Sequence, residues 1–291
     1  MSRVKLIDSM RDFLMYWRDY SGRNVEEMFG GWLMRYISSY PELLISEVVY
    51  WGDLDSLRAR MVGNVLPKLD DLIHDIIEAW MTFLQNIDEV YSMASERLEL
   101  PQAPIIAIYV GSGWKPRWTA SILDRPALFF DLGGIASLKW MDQRNLRGLI
   151  AFGLGQFRQA LARGGAERYA ELESNPYFRL YSQGLAQFAE ILILGADSWH
   201  GAGGREWLRE CEEREDELAR RYLEGAEAEQ IDSFYEPWKK IMGLSLVGRY
   251  LGYRLVSELH EKGLDLNELM RLPEEHVISL SKEFLERLSG K

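Results

Sequence analysis

The distribution of apolar residues along the chain predicts helices on both sides of a short stretch of strands. Between residues 66 and 98, apolar side chains recur every three or four positions, which predicts one long amphipathic helix. From residue 101 to 132 the pattern changes to β-branched and aromatic runs bounded by turn residues, which predicts two or three strands. We therefore expect a mostly α protein with a small β-sheet, of the α+β class.

The second half of the sequence returns to helical periodicity, with glycine, asparagine and proline residues between the segments. The predicted helices cover residues 143–163, 177–194, 205–223, 237–262 and 274–288. The expected organisation is a helical N-terminal region, 1–100, followed by a region, 101–291, that holds the sheet and the remaining helices. Because no low-complexity linker separates the two regions, we expect them to pack as one compact unit.

Composition and charge exclude several classes of protein. The chain has 291 residues, 47% of them apolar, which is enough for a sizeable core. Its formal net charge of -11 disfavours nucleic acid as a partner, because phosphate contacts require cationic side chains. The single cysteine, Cys211, cannot form an internal disulfide, which favours a cytoplasmic location. No apolar run approaches the roughly 20 residues of a membrane-spanning helix, so we expect no membrane partner.

The segment 146–157, LRGLIAFGLGQF, carries the most informative pattern. It resembles the LIAHELGH helix of zinc metallopeptidases, with Phe152 and Gln156 where the two histidines would be. Gly153 stands where the catalytic glutamate would be. In such peptidases the i, i+4 spacing places both histidines on one face of the helix, where they bind one zinc ion.

Other stretches extend the resemblance. Residues 182–190, SQGLAQFAE, resemble the stretch that supplies the third, glutamate ligand in gluzincin-type peptidases, with Gln183 at the ligand position. Shorter stretches near residues 110–118, 198–208 and 250–253 are similar to further signatures of a bacterial and archaeal family of predicted zinc-dependent proteases. The resemblance runs from about residue 104 to about residue 265 and implies a zincin-like fold.

The departures from the family pattern determine the functional expectation. Phenylalanine and glycine offer no metal-binding atom, and a neutral glutamine is a poor zinc ligand. The protein ligands and the general base are absent together, so we expect no zinc, no other cofactor and no peptidase activity. The resemblance then implies a catalytically inactive pseudo-metallopeptidase that acts in binding, scaffolding or assembly. Its partner would be a protein or peptide of unknown identity, and a homo-oligomer stays open.

Further candidates surround the four degenerate metal-site positions. The possible lining residues of the vacated cleft are Trp114, Trp118, Glu190, Trp199 and His200. Two alternatives stay open: an enzyme with a rebuilt, non-zinc site in the old cleft, or a cleft plugged by Phe152 with the function on the outer surface. We also expect the amides of Gln156 and Gln183 to form a hydrogen bond in place of the metal, because two buried amides can satisfy each other.

Overall fold

The computed structural model describes residues 4–113 and 115–290, and it confirms a mostly α fold with one small sheet. The strands are β1 (Lys5–Asp8), β2 (Ile105–Tyr109), β3 (Arg117–Ile122) and β4 (Arg125–Asp131). The α-helices are α1 (Met10–Tyr20), α2 (Val25–Gly31), α3 (Pro41–Trp51), α4 (Leu54–Arg60), α5 (Leu69–Arg97), α6 (Leu132–Ser137), α7 (Gln143–Ala162), α8 (Ala166–Glu173), α9 (Pro176–Leu194), α10 (Arg205–Glu213), α11 (Glu215–Glu227), α12 (Val247–Glu261), α13 (Leu266–Arg271) and α14 (Glu274–Ser289). Short π-helices follow α2 (Trp32–Tyr36) and α4 (Met61–Val65).

The chain forms two compact units. Unit 1 comprises Met1–Asp88 and Gln102–Leu146, and unit 2 comprises Glu89–Pro101 and Arg147–Lys291. The divisions therefore fall within α5 and α7. The N-terminal segment belongs with residues 102–146 because its strand β1 pairs with β2.

The sheet has the strand order β1-β2-β4-β3. Strands β1, β2 and β4 are parallel, and β3 pairs antiparallel with β4. A two-residue turn joins β3 to β4, and its residues Leu123 and Asp124 have φ values of 49° and 59°, as a type I′ hairpin turn requires. Sequence analysis did not predict strand β1. Its four residues are of mixed polarity and show no apolar periodicity, and the strand they pair with, β2, lies about a hundred positions further along the chain.

Glycines on three helices of unit 2 permit close packing. A Cβ atom on Gly184 of α9 would lie 2.0 Å from the carbonyl carbon of Gly252 on α12, so the two backbones touch at this point. A Cβ atom on Gly155 of α7 would lie 2.8 Å from Cβ of Ala189 on α9. Gly155 therefore permits a close contact between α7 and α9.

Helix boundaries in unit 2 differ from the predictions at two places. The predicted helix 205–223 is two helices, α10 and α11, separated at Arg214. The predicted helix 237–262 begins only at Val247, after a left-handed residue, Leu246 with φ 59°, that interrupts helical geometry. Among the helices of residues 4–113 and 115–290, none is both long enough and apolar enough to cross a bilayer.

Candidate functional site

Phe152, the first of the four positions that the resemblance singles out, lies in the interior of unit 2. Its side chain is completely buried on α7. Its ring contacts the imidazole of His200 edge-on, with 5.1 Å between the centroids. The guanidinium carbon of Arg249 stands 4.7 Å from the centroid of the same ring, a cation–π contact. We refer to Phe152, Glu190, His200 and Arg249 together as the Phe152 cluster.

Glu190 is the acceptor at the centre of this cluster. Its Oε1 accepts hydrogen bonds from the Ser198 hydroxyl at 2.8 Å and from the His200 backbone N–H at 3.0 Å. Its Oε2 lies 2.6 Å from Nδ1 of His200. Burial alone would raise the pKa of Glu190, but His200, Ser198 and the charge of Arg249 together hold it below its ordinary value. The carboxylate is therefore ionised and well satisfied, although no solvent reaches it.

The contact with Arg249 determines the tautomer of His200. Nη1 of Arg249 lies 2.8 Å from Nε2 of His200, and a guanidinium can only donate. Nε2 must therefore accept, which leaves the ring proton on Nδ1, where it is donated to Glu190. A histidine held by a carboxylate in this way usually presents Nε2 to a metal or a substrate proton. Here that lone pair already accepts from Arg249.

A glycine on α7 makes room for the cluster. A Cβ atom on Gly148 would lie 2.6 Å from Oε1 of Glu190 and 2.7 Å from Cβ of His200. Any larger residue at this position would push apart the loop after α9 and helix α7. Gly148 precedes Phe152 by four residues, so the two positions lie on the same face of α7.

The other three positions that the resemblance singles out have different surroundings. Gln156 is buried with 4% of its surface exposed, and Gly153 is also buried. The amide nitrogen of Gln183 donates to Oε1 of Glu173 on α8 at 2.7 Å, so the expected pair between Gln156 and Gln183 is replaced by an amide–carboxylate pair. Gln183 misses Gln156 because it does not lie on the face of α9 that contacts α7.

The face of α9 that contacts α7 passes through residues adjacent to Gln183. It carries Ser182, whose carbonyl accepts from Gln159 at 2.9 Å, and the alanines next to Gly155. Gln183 lies about 100° further around the helix and reaches α8 instead.

The candidate lining residues are placed as follows. Trp114 lies outside the described residues. Trp118 lies on β3 in unit 1, where its ring stacks on Phe129 with centroids 5.7 Å apart. In unit 2, Trp199 is 4% exposed and packs against Trp207 and Tyr253. Together with Glu190 and His200, it belongs to the interior of unit 2 and lines no open surface.

Arg249 is the member of the Phe152 cluster that sequence analysis missed. It is 8% exposed on α12, between two buried apolar neighbours, Gly248 and Tyr250. A single arginine within the otherwise apolar start of a helix is a recognisable signal for a buried cation. Its partners come from α7 and from the loop after α9, however, and no local pattern identifies them.

Unit 1 contains a second buried cluster, formed by Glu47, Tyr109 and Asp131. The Tyr109 hydroxyl donates to Oε1 of Glu47 at 2.8 Å, and the backbone N–H of Ser112 donates to the same oxygen at 3.3 Å. Asp131 is the N-cap of α6. It accepts from the backbone N–H groups of Gly111, Gly113 and Gly133 at 3.0, 2.7 and 2.9 Å.

In this Glu47 cluster, one of the two acids, Glu47 and Asp131, is protonated and the other is ionised. Burial and the neighbouring charge of Asp131 raise the pKa of Glu47 to about 7. Burial also raises the pKa of Asp131, while the backbone N–H groups around it act in the opposite direction. Four such donors stabilise the anionic form, so we assign the charge to Asp131 and the proton to Glu47. The cluster attaches α3 to the loop after β2.

Neither cluster has the composition of a metal centre. Within residues 4–113 and 115–290, no group of three or more histidine, cysteine, aspartate or glutamate side chains is arranged to hold a metal ion. The Phe152 cluster supplies one carboxylate and one imidazole, and its remaining members are a cation and a phenyl ring.

Comparison with known proteins finds no family model, no curated protein and no solved structure that matches the chain.

Proposed function

We propose that this chain is a catalytically inactive, zincin-like protein that acts by binding another molecule at its outer surface. One observation carries the proposal: the side chain at the first degenerate ligand position, Phe152, is fully buried between an imidazole and a guanidinium. A phenyl ring offers no lone pair to a metal. The guanidinium beside it would in addition repel a divalent cation.

The hydrogen bonding of the same cluster argues against a rebuilt active site. A general base needs a lone pair that a substrate proton can reach. The Nε2 lone pair of His200 accepts from Arg249, and the Glu190 carboxylate has three hydrogen-bond donors. Both side chains are buried. A rebuilt active site would require two titratable groups close together. Glu190 and His200 meet this requirement, but they bind each other.

We expect purified protein to leave a broad peptide library uncleaved, with or without added zinc, because no base or metal site is available to activate water. The measurement is mass spectrometry of the library after prolonged incubation. The Glu190→Gln variant, tested for folding by circular dichroism, is the matched control for a contaminating protease. Cleavage that disappears in this variant, or that a chelator abolishes in the wild type alone, would contradict the proposal.

A further inference from the structure

Helix α3 is held to the rest of unit 1 by few side chains. Its sequence, PELLISEVVYW, is largely apolar, yet its only fully buried residues are Leu43 and Glu47. Ile45 and Val49 are 61% and 73% exposed, so little of the apolar burial that normally fixes a surface helix is present here. Because one of the two buried side chains is an acid, the attachment of α3 depends on the state of that acid.

The polar contacts of α3 lead to one segment, the end of β2 and loop 110–113 that follows it. The carboxyl of Glu47, in the middle of the helix, accepts from Tyr109 and Ser112 as described above. At the end of the helix, Nε1 of Trp51 donates to the Ser112 hydroxyl at 3.0 Å. A Cβ atom on Gly111 would lie 2.1 Å from Oε1 of Glu47, so the loop backbone packs directly against the carboxyl.

Non-helical residues flank α3 on both sides. Tyr40, before the helix, has φ -129° and ψ 71°. Gly52, after it, has φ 89°, a left-handed conformation that glycine adopts without strain. Changes of φ and ψ at such residues absorb the movement of the element between them. The helix can therefore move on these two joints while the sheet stays in place.

One acid and two tyrosines face Glu47 from the elements around it. Asp131, at the end of β4, carries the negative charge of the pair and disfavours a second charge on Glu47. Tyr109 comes from β2, and Tyr36, whose hydroxyl accepts from the backbone N–H of Val110 at 2.8 Å, comes from the π-helix before α3. Burial raises the pKa of both tyrosines above the ordinary value, so both stay neutral near neutral pH.

The cations of this region contact the loop and the end of α3. Nε of Arg60, the last residue of α4, donates to the Ser112 carbonyl at 3.3 Å. Nζ of Lys115 stands 5.8 Å from the ring centroid of Tyr50. Of the charged groups, Asp131 has the greatest effect on the pKa of Glu47. An ionised Glu47 would therefore lie in the interior beside a like charge, which is unfavourable.

We propose that α3 is a proton-controlled latch, which docks on loop 110–113 while Glu47 is protonated and opens as Glu47 ionises. Movement at Tyr40 and Gly52 carries the carboxyl into water and exposes residues 110–112, which are buried in the docked state. The pKa of Glu47 is about 7 when docked, so docking weakens as pH rises towards neutrality. The latch extends the proposed function and does not depend on whether the chain is zincin-like.

Hydrogen exchange of the full chain, followed by mass spectrometry at about pH 6 and about pH 8, tests the latch. An isolated helix of 11 residues is unstable in water, so the amides of α3 exchange once it is released. With a pKa of about 7 docked and 4.5 released, the opening equilibrium of the wild type should rise about tenfold between the two conditions, after correction for intrinsic exchange. Peptides from β2 and β4 should show no comparable rise.

Two variants assign the effect to one carboxyl. Glu47→Gln should protect α3 equally at both pH values, because glutamine mimics the protonated acid. Glu42→Gln is the matched control, since it removes the same charge from the first turn of the same helix at a position that is not fully buried, and it should respond as the wild type does.

Three results would overturn the latch: equal corrected exchange of α3 at both pH values in the wild type, a pH response that persists in Glu47→Gln, or a rise that β2 and β4 share. Zinc binding would overturn the proposed function and leave these exchange results unaffected.

Discussion

Replacing Glu190 with alanine is expected to lower the free energy of unfolding by about 3–5 kcal/mol, the usual cost of removing one partner from a buried charged pair. The substitution leaves the Nδ1–H of His200 and the hydroxyl of Ser198 without the acceptor they now have. It also leaves the guanidinium of Arg249 in the interior without its nearby negative charge. Urea denaturation followed by circular dichroism measures the loss.

Two companion variants separate this effect from nonspecific damage. Glu190→Gln keeps the volume but places an amide donor where a carboxylate accepts, so we expect an intermediate loss of about 1–3 kcal/mol. Glu171→Ala removes a carboxylate whose side chain is 67% exposed in a surface pair with Arg168, and it should change stability little. If Glu190→Ala proves as stable as Glu171→Ala, the Phe152 cluster does not hold unit 2 together.

Replacing Glu47 with glutamine is expected to remove a pH dependence of stability of about 3 kcal/mol. The pKa of Glu47 is about 7 in the folded protein, against 4.5 for an unperturbed glutamate. The folded state therefore binds the proton more tightly than the unfolded state. The stability from this group is fully present below about pH 4.5 and is lost as pH rises to about 7. Glutamine mimics the protonated acid and still accepts from Tyr109.

The measurement is urea denaturation of the wild type and Glu47→Gln between about pH 4.5 and about pH 8. The two proteins should be equally stable at the acid end, and the variant more stable at the alkaline end. Glu78→Gln on α5, at an exposed position, controls for the loss of one negative charge. Parallel pH profiles for the wild type and Glu47→Gln would show that Glu47 is not the protonated member of its pair with Asp131.

Helices with a continuous apolar period were predictable from the sequence. The long helix expected at 66–98 is α5, Leu69–Arg97, and the helix expected at 177–194 is α9, Pro176–Leu194. In both, the amphipathic pattern extends over several turns, so local periodicity is sufficient to define the element. The start of α9 is reinforced by Asn175, whose side chain caps it, and by proline at the first helical position.

The composition of the buried clusters was not predictable, because it depends on contacts between distant residues. Arg249 approaches His200 from a helix 49 positions further along the chain. Glu47 looks like a solvent-exposed acid in sequence and becomes buried only because Tyr109 and Ser112, more than sixty residues away, supply its donors. Gln183 is adjacent in sequence to the residues of α9 that contact α7, but it lies about 100° around the helix from them. Its side chain therefore contacts Glu173 and not Gln156 as expected.

The metal content of the wild-type protein is the most direct test of the central claim, which is our proposal that the chain is zincin-like and that Phe152 and its neighbours fill the place of a zinc ion. The protein is purified without chelators, incubated with excess zinc, passed through a desalting column and analysed by inductively coupled plasma mass spectrometry. We expect zinc far below one ion per chain, equal to that in Glu190→Gln. One tightly held zinc ion per wild-type chain, lost in that variant, would contradict the account.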